Sequence, residues 1–204
     1  MSKDTPKSRR TRVRILEAAT RLFAEVGYHA ATNAMIADAA GLTRGAMLYH
    51  FPTRDDLVAA AIEHIQGERL ALFDAAAASP PPGGDATAHA IAAYWSLLSQ
   101  PPFVAFAELE AVARTEPMVR GLLAPAQAAF DQAQVGQPFS ALAQAGLGPR
   151  FQASRDLARF LLEGLARATL AYDREARAAN LIAVVDRAVR MLNRKGDVQE
   201  LWPD

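Results

Sequence analysis

Apolar residues recur along most of the chain at intervals of three and four positions, the spacing that places side chains on one face of an α-helix. Ile15, Ala18 and Leu22 show this pattern within a first predicted helix over residues 9–26. No run of strand length between turn residues alternates polar and apolar positions. The pattern therefore predicts an all-α fold.

Glycine, proline and threonine divide this pattern into separate helices. Gly27 ends the first helix, and Thr32 and Thr43 each precede a short one, since a threonine side chain accepts a backbone hydrogen bond at a helix start. A long helix over residues 55–78 follows, and then a loop rich in proline and glycine. Further helices are predicted at residues 86–99, 103–115, 117–135, 139–146, 152–172 and 174–194. We expect about nine helices, three in a small N-terminal domain and the rest in a larger body.

Residues 32–51 have the order of a helix-turn-helix motif. Gly41 can adopt the left-handed backbone conformation that a tight turn requires, and Leu42 can fill the junction between the two helices. In such a motif the second helix enters the DNA major groove by its N-terminal end. An ordinary helical hairpin has the same order, so the spacing alone leaves both interpretations open.

Charge is distributed unevenly, although the net charge of the chain is zero. Residues 1–54 carry nine Lys or Arg against four acids, a net charge of +5, whereas the remaining 150 residues carry 13 basic against 18 acidic side chains. A basic first quarter favours contact with a polyanion at that end of the molecule. A solvated basic tail accounts for the charge equally well.

A longer string of residues in the first quarter resembles the N-terminal domain of the TetR family of transcriptional regulators. The string comprises Ile15–Ala19, Leu22–Tyr28, Thr32, Ile36-Ala37, Ala40–Ala46, His50–Arg54 and Leu57. The resemblance implies a DNA-binding domain over residues 8–54, joined to the long helix that starts at 55. It also implies a helical ligand-binding and dimerisation body over residues 55–204.

The same resemblance implies roles for individual residues. Arg44 and Gly45 open the helix that approaches base edges, where Arg44 can donate two hydrogen bonds to a guanine. Ala46 and Met47 offer apolar contact to a thymine methyl group. Thr32, Tyr49, His50 and Arg54 are placed at phosphate contacts, which fix the register of the protein on DNA without reading the base sequence. The predicted DNA-binding residues are Thr32, Thr43, Arg44, Gly45, Ala46, Met47, Tyr49, His50 and Arg54.

One position departs from the family pattern. Leu48 stands where the family usually has tyrosine, and Tyr49 follows it. A phosphate contact is therefore either lost or made by Tyr49, and packing of Tyr49 against Phe51 is the alternative. A structural role for His50 also stays open. The basic segment at residues 7–12 is predicted as a tail that reaches a phosphate or the minor groove.

The last two predicted helices are apolar on two faces. One face can pack on the body and the other on a second copy, which would give a four-helix dimer interface. Burial of both faces within one chain is the alternative. The predicted interface residues are Phe160, Leu161, Gly164, Leu165, Ala168, Leu181, Val184, Val185, Ala188 and Met191.

Aromatic residues gather between positions 86 and 135. Such a cluster between helices can line a pocket for an apolar small molecule, although for any single member an ordinary core is the favoured explanation. The predicted pocket residues are Tyr94, Trp95, Phe103, Phe106 and Phe130.

Composition and missing motifs exclude several classes. The chain has no cysteine, no run of 18 apolar residues and a polar N-terminus, so we expect a cytoplasmic protein with no membrane partner. We find no phosphate-binding loop, nucleophile elbow or metal-ligand spacing, and we predict no enzyme, cofactor or metal site. We expect a ligand-responsive repressor that binds a near-palindromic double-stranded DNA operator as a homodimer. The alternative is a helical small-molecule carrier or scaffold without specific DNA binding.

Overall fold

The computed structural model describes residues 5–77, 85–136, 148–170 and 172–193. Within those ranges the chain forms nine helices and no strand, so the predicted all-α fold is confirmed. The predicted helix at residues 139–146 lies outside the described residues. The helices are α1 (Pro6–Val26), α2 (Asn33–Ala39), α3 (Arg44–His50), α4 (Arg54–Ala77), α5 (Ala86–Leu97), α6 (Pro101–Val112), α7 (Pro117–Gly136), α8 (Gly148–Arg167) and α9 (Arg174–Leu192).

Threonine caps begin the first three helices. Thr5 accepts a hydrogen bond from the Ser8 amide, and Pro6, whose fixed φ suits the first helical position, follows it. Thr32 and Thr43 cap α2 and α3 as predicted. Because of the cap at Thr5, α1 begins three residues before the predicted start, and the predicted basic tail at residues 7–12 is part of this helix.

Contacts divide the chain into two compact units. The first unit runs to Ala71 and also contains Gln100–Asp131, and the second contains Leu72–Ser99 and the chain from Gln132 onward. This division differs from the predicted boundary after residue 54, because α6 packs along α1 and therefore belongs with the first three helices.

One hydrophobic cluster forms the core of the first unit. Its fully buried side chains include Ile15 and Phe23 from α1, Ile36 from α2, Met47 from α3 and Phe106 from α6. Every element of the predicted helix-turn-helix therefore packs on a shared core.

The second unit has its own core, where α9 packs against both α8 and α5. Ile91 from α5, Leu162 from α8 and Val185 and Val189 from α9 are buried in it. In the described part of the chain, no helix combines the length and the apolar character needed to cross a membrane.

Candidate functional site

The turn between α2 and α3 has the geometry predicted from its glycine. Gly41 has a φ of +64°, in the left-handed region, and its amide donates to the Asp38 carbonyl at 2.8 Å. The Leu42 amide donates to the Ala37 carbonyl at 2.9 Å, and the Leu42 side chain packs against the core. The two helices are therefore held at a fixed angle by backbone hydrogen bonds and by packing.

Three arginines brace this motif from within. The Arg12 guanidinium donates to the His50 carbonyl at 2.9 Å and lies over the Phe51 ring. Arg14 donates to the Ala40 carbonyl at the end of α2. Both carbonyls belong to helix ends, where the helix itself supplies no partner.

Arg54 is the third of these arginines. It donates to the Tyr28 carbonyl at 2.9 Å and to Asn33 Oδ1 at 3.1 Å, and its guanidinium lies over the rings of Tyr28 and Phe23. Its guanidinium is thus engaged within the protein, which differs from the predicted phosphate contact. Arg54 ties the start of α4 to the loop before α2.

The start of α3 faces outward. Thr43, Arg44 and Gly45 are exposed, and a Cβ added at Gly45 would meet nothing within 4 Å. Tyr49, one turn further on, is 70% exposed, so the alternative in which it packs inside does not hold. Thr32, which caps α2, is exposed as well. Thr32, Thr43, Arg44, Gly45 and Tyr49 thus form an exposed face at α3 and at the start of α2. We call this face the α3 surface.

One predicted contact residue of α3 does not lie on this surface. Met47 is fully buried in the core of the first unit, so its predicted contact with a thymine methyl is wrong. The reason is helical spacing, because Met47 and Phe51 are one turn apart on the same side of the chain and both are buried in this core. Ala46 is half-buried, and Leu48, at the family's usual tyrosine position, is half-buried too.

His50 is uncharged in its surroundings at neutral pH. Burial, and secondly the positive charge of Arg12, lower the pKa of His50 below 6.5. Its ring lies edge-on to the Tyr49 ring at 5.3 Å between centroids. The His50 side chain therefore adds no positive charge to the α3 surface near pH 7.

Exposed cations on α1 extend the basic character of the first unit. Lys7, Arg9, Arg10 and Arg21 are exposed, as is Arg44 on α3. The basic segment that the sequence presented as a tail is therefore a helical surface. Lys7, Arg10 and Arg21 face solvent on it, while Arg12 and Arg14 donate to carbonyl groups.

The predicted pocket residues fall into two groups. Phe103, Phe106 and Phe130 lie in the first unit around buried Arg69, whose guanidinium carbon is 3.7 Å from the centroid of the Phe106 ring. The other two rings are 5.2 Å and 4.1 Å from it. These phenylalanines pack on a cation, and Tyr94 and Trp95 belong to the second unit.

A cavity of about 100 Å³ lies in the second unit. Tyr94 lines it, together with apolar side chains of α5, α8 and α9, whereas Trp95 is not among its described lining residues. The Tyr94 hydroxyl donates to Glu163 at 2.7 Å, and Glu163 also accepts from Arg159 at 3.0 Å. Tyr94 is thus the one predicted pocket residue that the structure places at this cavity.

The predicted dimer residues also separate by exposure. Phe160 and Val184 are 63% and 61% exposed, and Gly164 and Leu181 are exposed beside them in their helices. Leu161, Ala168, Ala188 and Met191 are half-buried. Leu165 and Val185 are buried within the chain, so they do not offer the predicted surface.

A braced helix-turn-helix whose second helix begins with an exposed arginine has the geometry typical of helix-turn-helix DNA-binding proteins. Residues 15–61 match the family model described as "Bacterial regulatory proteins, tetR family". This match confirms the resemblance noted in the sequence over the residues that it covers, about a quarter of the chain. The family consists of transcriptional regulators and not of enzymes.

Similar proteins fall into two sets. TtgR, an HTH-type transcriptional regulator of Pseudomonas putida, is 41% identical over 59 residues, which cover 29% of this chain and 28% of TtgR. This chain thus matches less than a third of that relative's length. The crystal structure of SCO4454, a TetR-family regulator from Streptomyces coelicolor, is 26% identical and covers 90% of this chain and 96% of its own, with a TM-score of 0.65.

A second solved structure shares the fold at lower identity. It is a regulator from Saccharomonospora viridis in complex with choline, 19% identical, covering 89% of this chain and 96% of its own, with a TM-score of 0.62. The helical fold is thus shared over about nine-tenths of the chain, whereas the 41% identity to TtgR extends over only 59 residues.

Several residues of the site were not predicted from the sequence. Arg12 and Arg14 counted only as positive charge, although the structure uses both as internal donors. Glu108 of α6 accepts a hydrogen bond from the Tyr28 amide at 3.0 Å and lies against Gly27. The sequence contains one signal for the internal role of these arginines. Arg12 and Arg14 come just before the buried residues Ile15 and Leu16, which places both at the edge of the buried face of α1.

Proposed function

We propose that this protein is a transcriptional regulator that binds double-stranded DNA through the α3 surface. The observation that carries the proposal is the exposed first turn of α3, with Arg44 and Gly45 at its start, on a motif whose inner face is fully buried. Arg44 has the donors to bind a guanine edge, and Gly45 leaves room for the backbone to approach. Tyr49, Thr43 and Thr32 contribute hydroxyl groups toward phosphates.

We further propose that the protein acts as a homodimer on a near-palindromic operator. Exposed Phe160, Leu181 and Val184 support this, because they lie on two helices that pack together and grouped apolar side chains at a surface mark interaction sites. Two recognition helices related by a twofold axis match half-sites about 34–36 Å apart. Sedimentation of the full chain tests the assembly, with a dimer expected for the wild type and a monomer for Val184→Asp.

Regulation by a small molecule completes the proposal. The second unit contains a cavity, and α4 contributes residues to both units. A ligand bound in the cavity can therefore act on the first unit through this continuous helix. We propose that the unliganded protein represses in the cytoplasm and that the ligand weakens DNA binding. The choline complex of the Saccharomonospora viridis regulator gives a precedent for small-molecule binding by this fold.

A gel-shift series tests the DNA-binding proposal directly. The full chain is titrated into the DNA upstream of its own gene, at several salt concentrations, beside a shuffled duplex of equal length. We expect tight binding to the upstream DNA that weakens steeply with salt, since Lys and Arg contacts release counterions. Weak binding of equal strength to both duplexes would support a small-molecule carrier instead.

A further inference from the structure

The cavity of the second unit is small and largely apolar. Phe73, Ile91, Phe151 and Leu162 contribute hydrocarbon to its wall. Its volume of about 100 Å³ is below the roughly 300–1,000 Å³ of drug-sized sites and near the roughly 150 Å³ of an engineered cavity that binds benzene. An occupant of this size has one ring or a short chain.

Two hydrogen-bond donors in the lining residues have no partner. Arg155 Nη1 and Asn193 Nδ2 are both shielded from solvent and make no hydrogen bond. The rest of each group is engaged, because Arg155 Nε and Nη2 donate to Asp156 Oδ1 at 3.2 and 3.0 Å, and Asn193 Oδ1 accepts from Ser154 at 2.9 Å. Buried donors without partners cost free energy, so an acceptor that reached both would be bound favourably.

Charge narrows the acceptor to an anion. The described lining includes two guanidinium groups, Arg155 and Arg159, and no carboxylate. Glu163 compensates Arg159 at 3.0 Å, while the carboxylate of Asp156, the partner of Arg155, is 40% exposed and screened by water. Arg155 is therefore the cation whose charge is least compensated at the cavity. A ligand cation would meet two like charges there.

We propose that this cavity binds a small apolar carboxylate. Its two oxygens accept hydrogen bonds from Arg155 Nη1 and Asn193 Nδ2, and its hydrocarbon part lies against the apolar wall. A carboxylate has enough lone pairs for both donors, and hydrogen bonds to an ionised acceptor are about twice as strong as neutral ones. The inference rests on the proposed function, in which the body senses a small molecule, and it names the chemistry of that molecule.

A matched series of ring compounds tests this on the full wild-type chain. Benzoate, benzamide and benzylammonium have similar size, and they are respectively an anion, a neutral acceptor and a cation without an acceptor. Isothermal titration calorimetry without DNA is expected to give benzoate a Kd at least tenfold lower than benzamide and to detect no binding of benzylammonium. Equal affinity for benzoate and benzamide, binding of benzylammonium, or no binding of benzoate up to millimolar concentration would overturn the proposal.

A pair of variants locates the binding. Arg155→Met removes the unpaired donor and is expected to weaken benzoate at least tenfold while changing benzamide less than threefold. Arg187→Met removes the same charge from an exposed residue outside the described cavity lining and is expected to leave benzoate unchanged. An equal loss of benzoate affinity in both variants would contradict the assignment of the binding site to Arg155. If Arg155→Met does not fold, the wild-type ligand series still decides.

DNA binding is measured separately, so the two proposals fail in different ways. If the chain binds benzoate but does not bind DNA specifically, the carboxylate site is supported and the proposal of a transcriptional regulator is contradicted. If the chain binds DNA specifically but does not bind benzoate, the regulator proposal is supported and the carboxylate site is contradicted.

Discussion

The helix-turn-helix and the cavity-bearing second unit use arginine in opposite ways. In the first, Arg12, Arg14 and Arg54 donate to backbone carbonyls, and no buried side-chain polar atom in the described residues up to 61 lacks a partner. In the second, Arg155 and Asn193 carry buried donors without partners. Completed hydrogen bonds fix the geometry of the surface that we propose fits a DNA groove, whereas the unpaired donors leave room for the proposed ligand.

The largest expected effect tests the inside and outside faces of α3. Met47→Ala removes a fully buried side chain and is expected to lower the free energy of unfolding by about 2–5 kcal/mol. Tyr49→Ala, two positions on, changes an exposed side chain and is expected to stay within about 0.5 kcal/mol. Urea denaturation measures both. Similar losses in the two variants would mean that α3 is oriented differently.

The next prediction compares an arginine that donates to a backbone carbonyl with an arginine that carries an unpaired donor. Arg12→Met removes a charged donor from the His50 carbonyl and is expected to cost about 1–3 kcal/mol. Arg155→Met removes an unpaired donor together with an ion pair to the 40% exposed Asp156, so the ligand-free protein is expected to stay within about 1 kcal/mol of the wild type. Thermal unfolding of both variants without ligand decides, and a large loss for Arg155→Met alone would invert the comparison.

Two glycines of the helix-turn-helix give a third, smaller contrast. Gly41→Ala forces a side chain into the left-handed region and places its Cβ 3.0 Å from Arg14 Nη2, so we expect a loss of about 1–2 kcal/mol. Gly45→Ala enters open space in a helix and is expected to stabilise by up to about 1 kcal/mol. Chemical denaturation measures both. A neutral Gly41→Ala would argue against the observed turn.

The smallest effect concerns pH. Since the folded-state pKa of His50 lies below its ordinary value, the unfolded chain binds the proton more readily. His50 therefore contributes stability that is present above about pH 6.5 and is lost as the pH falls below it. In His50→Gln this dependence disappears, so the variant should gain on the wild type as the pH is lowered. A constant difference in free energy of unfolding across this range would exclude the effect.

Much of the helix-turn-helix was predictable because its signals are local. Threonine caps, Gly41 and the three-four spacing act within one turn of backbone, and the structure has each of them where the sequence predicts. Met47 was mispredicted because a helix of only seven residues presents few positions from which its buried face can be judged.

Long-range contacts account for the remaining differences. Phe103 and Tyr94 are near in sequence and equally aromatic, and only the packing of α6 along α1 places Phe103 in the first unit. Likewise, the unpaired donors of Arg155 and Asn193 depend on the packing of α8 against α9, and these residues are 38 positions apart, so local patterns carry no signal for them.

The variant Arg44→Ala shows whether the first turn of α3 reads DNA. Fluorescence anisotropy compares this variant with Arg21→Ala, which removes an equal charge from an exposed position on α1. We predict that Arg44→Ala weakens binding to the upstream DNA by about 1–3 kcal/mol, roughly ten- to hundredfold, and narrows the preference over a shuffled duplex. Arg21→Ala should weaken both duplexes slightly and equally. If the two variants behave alike, α3 does not read the sequence.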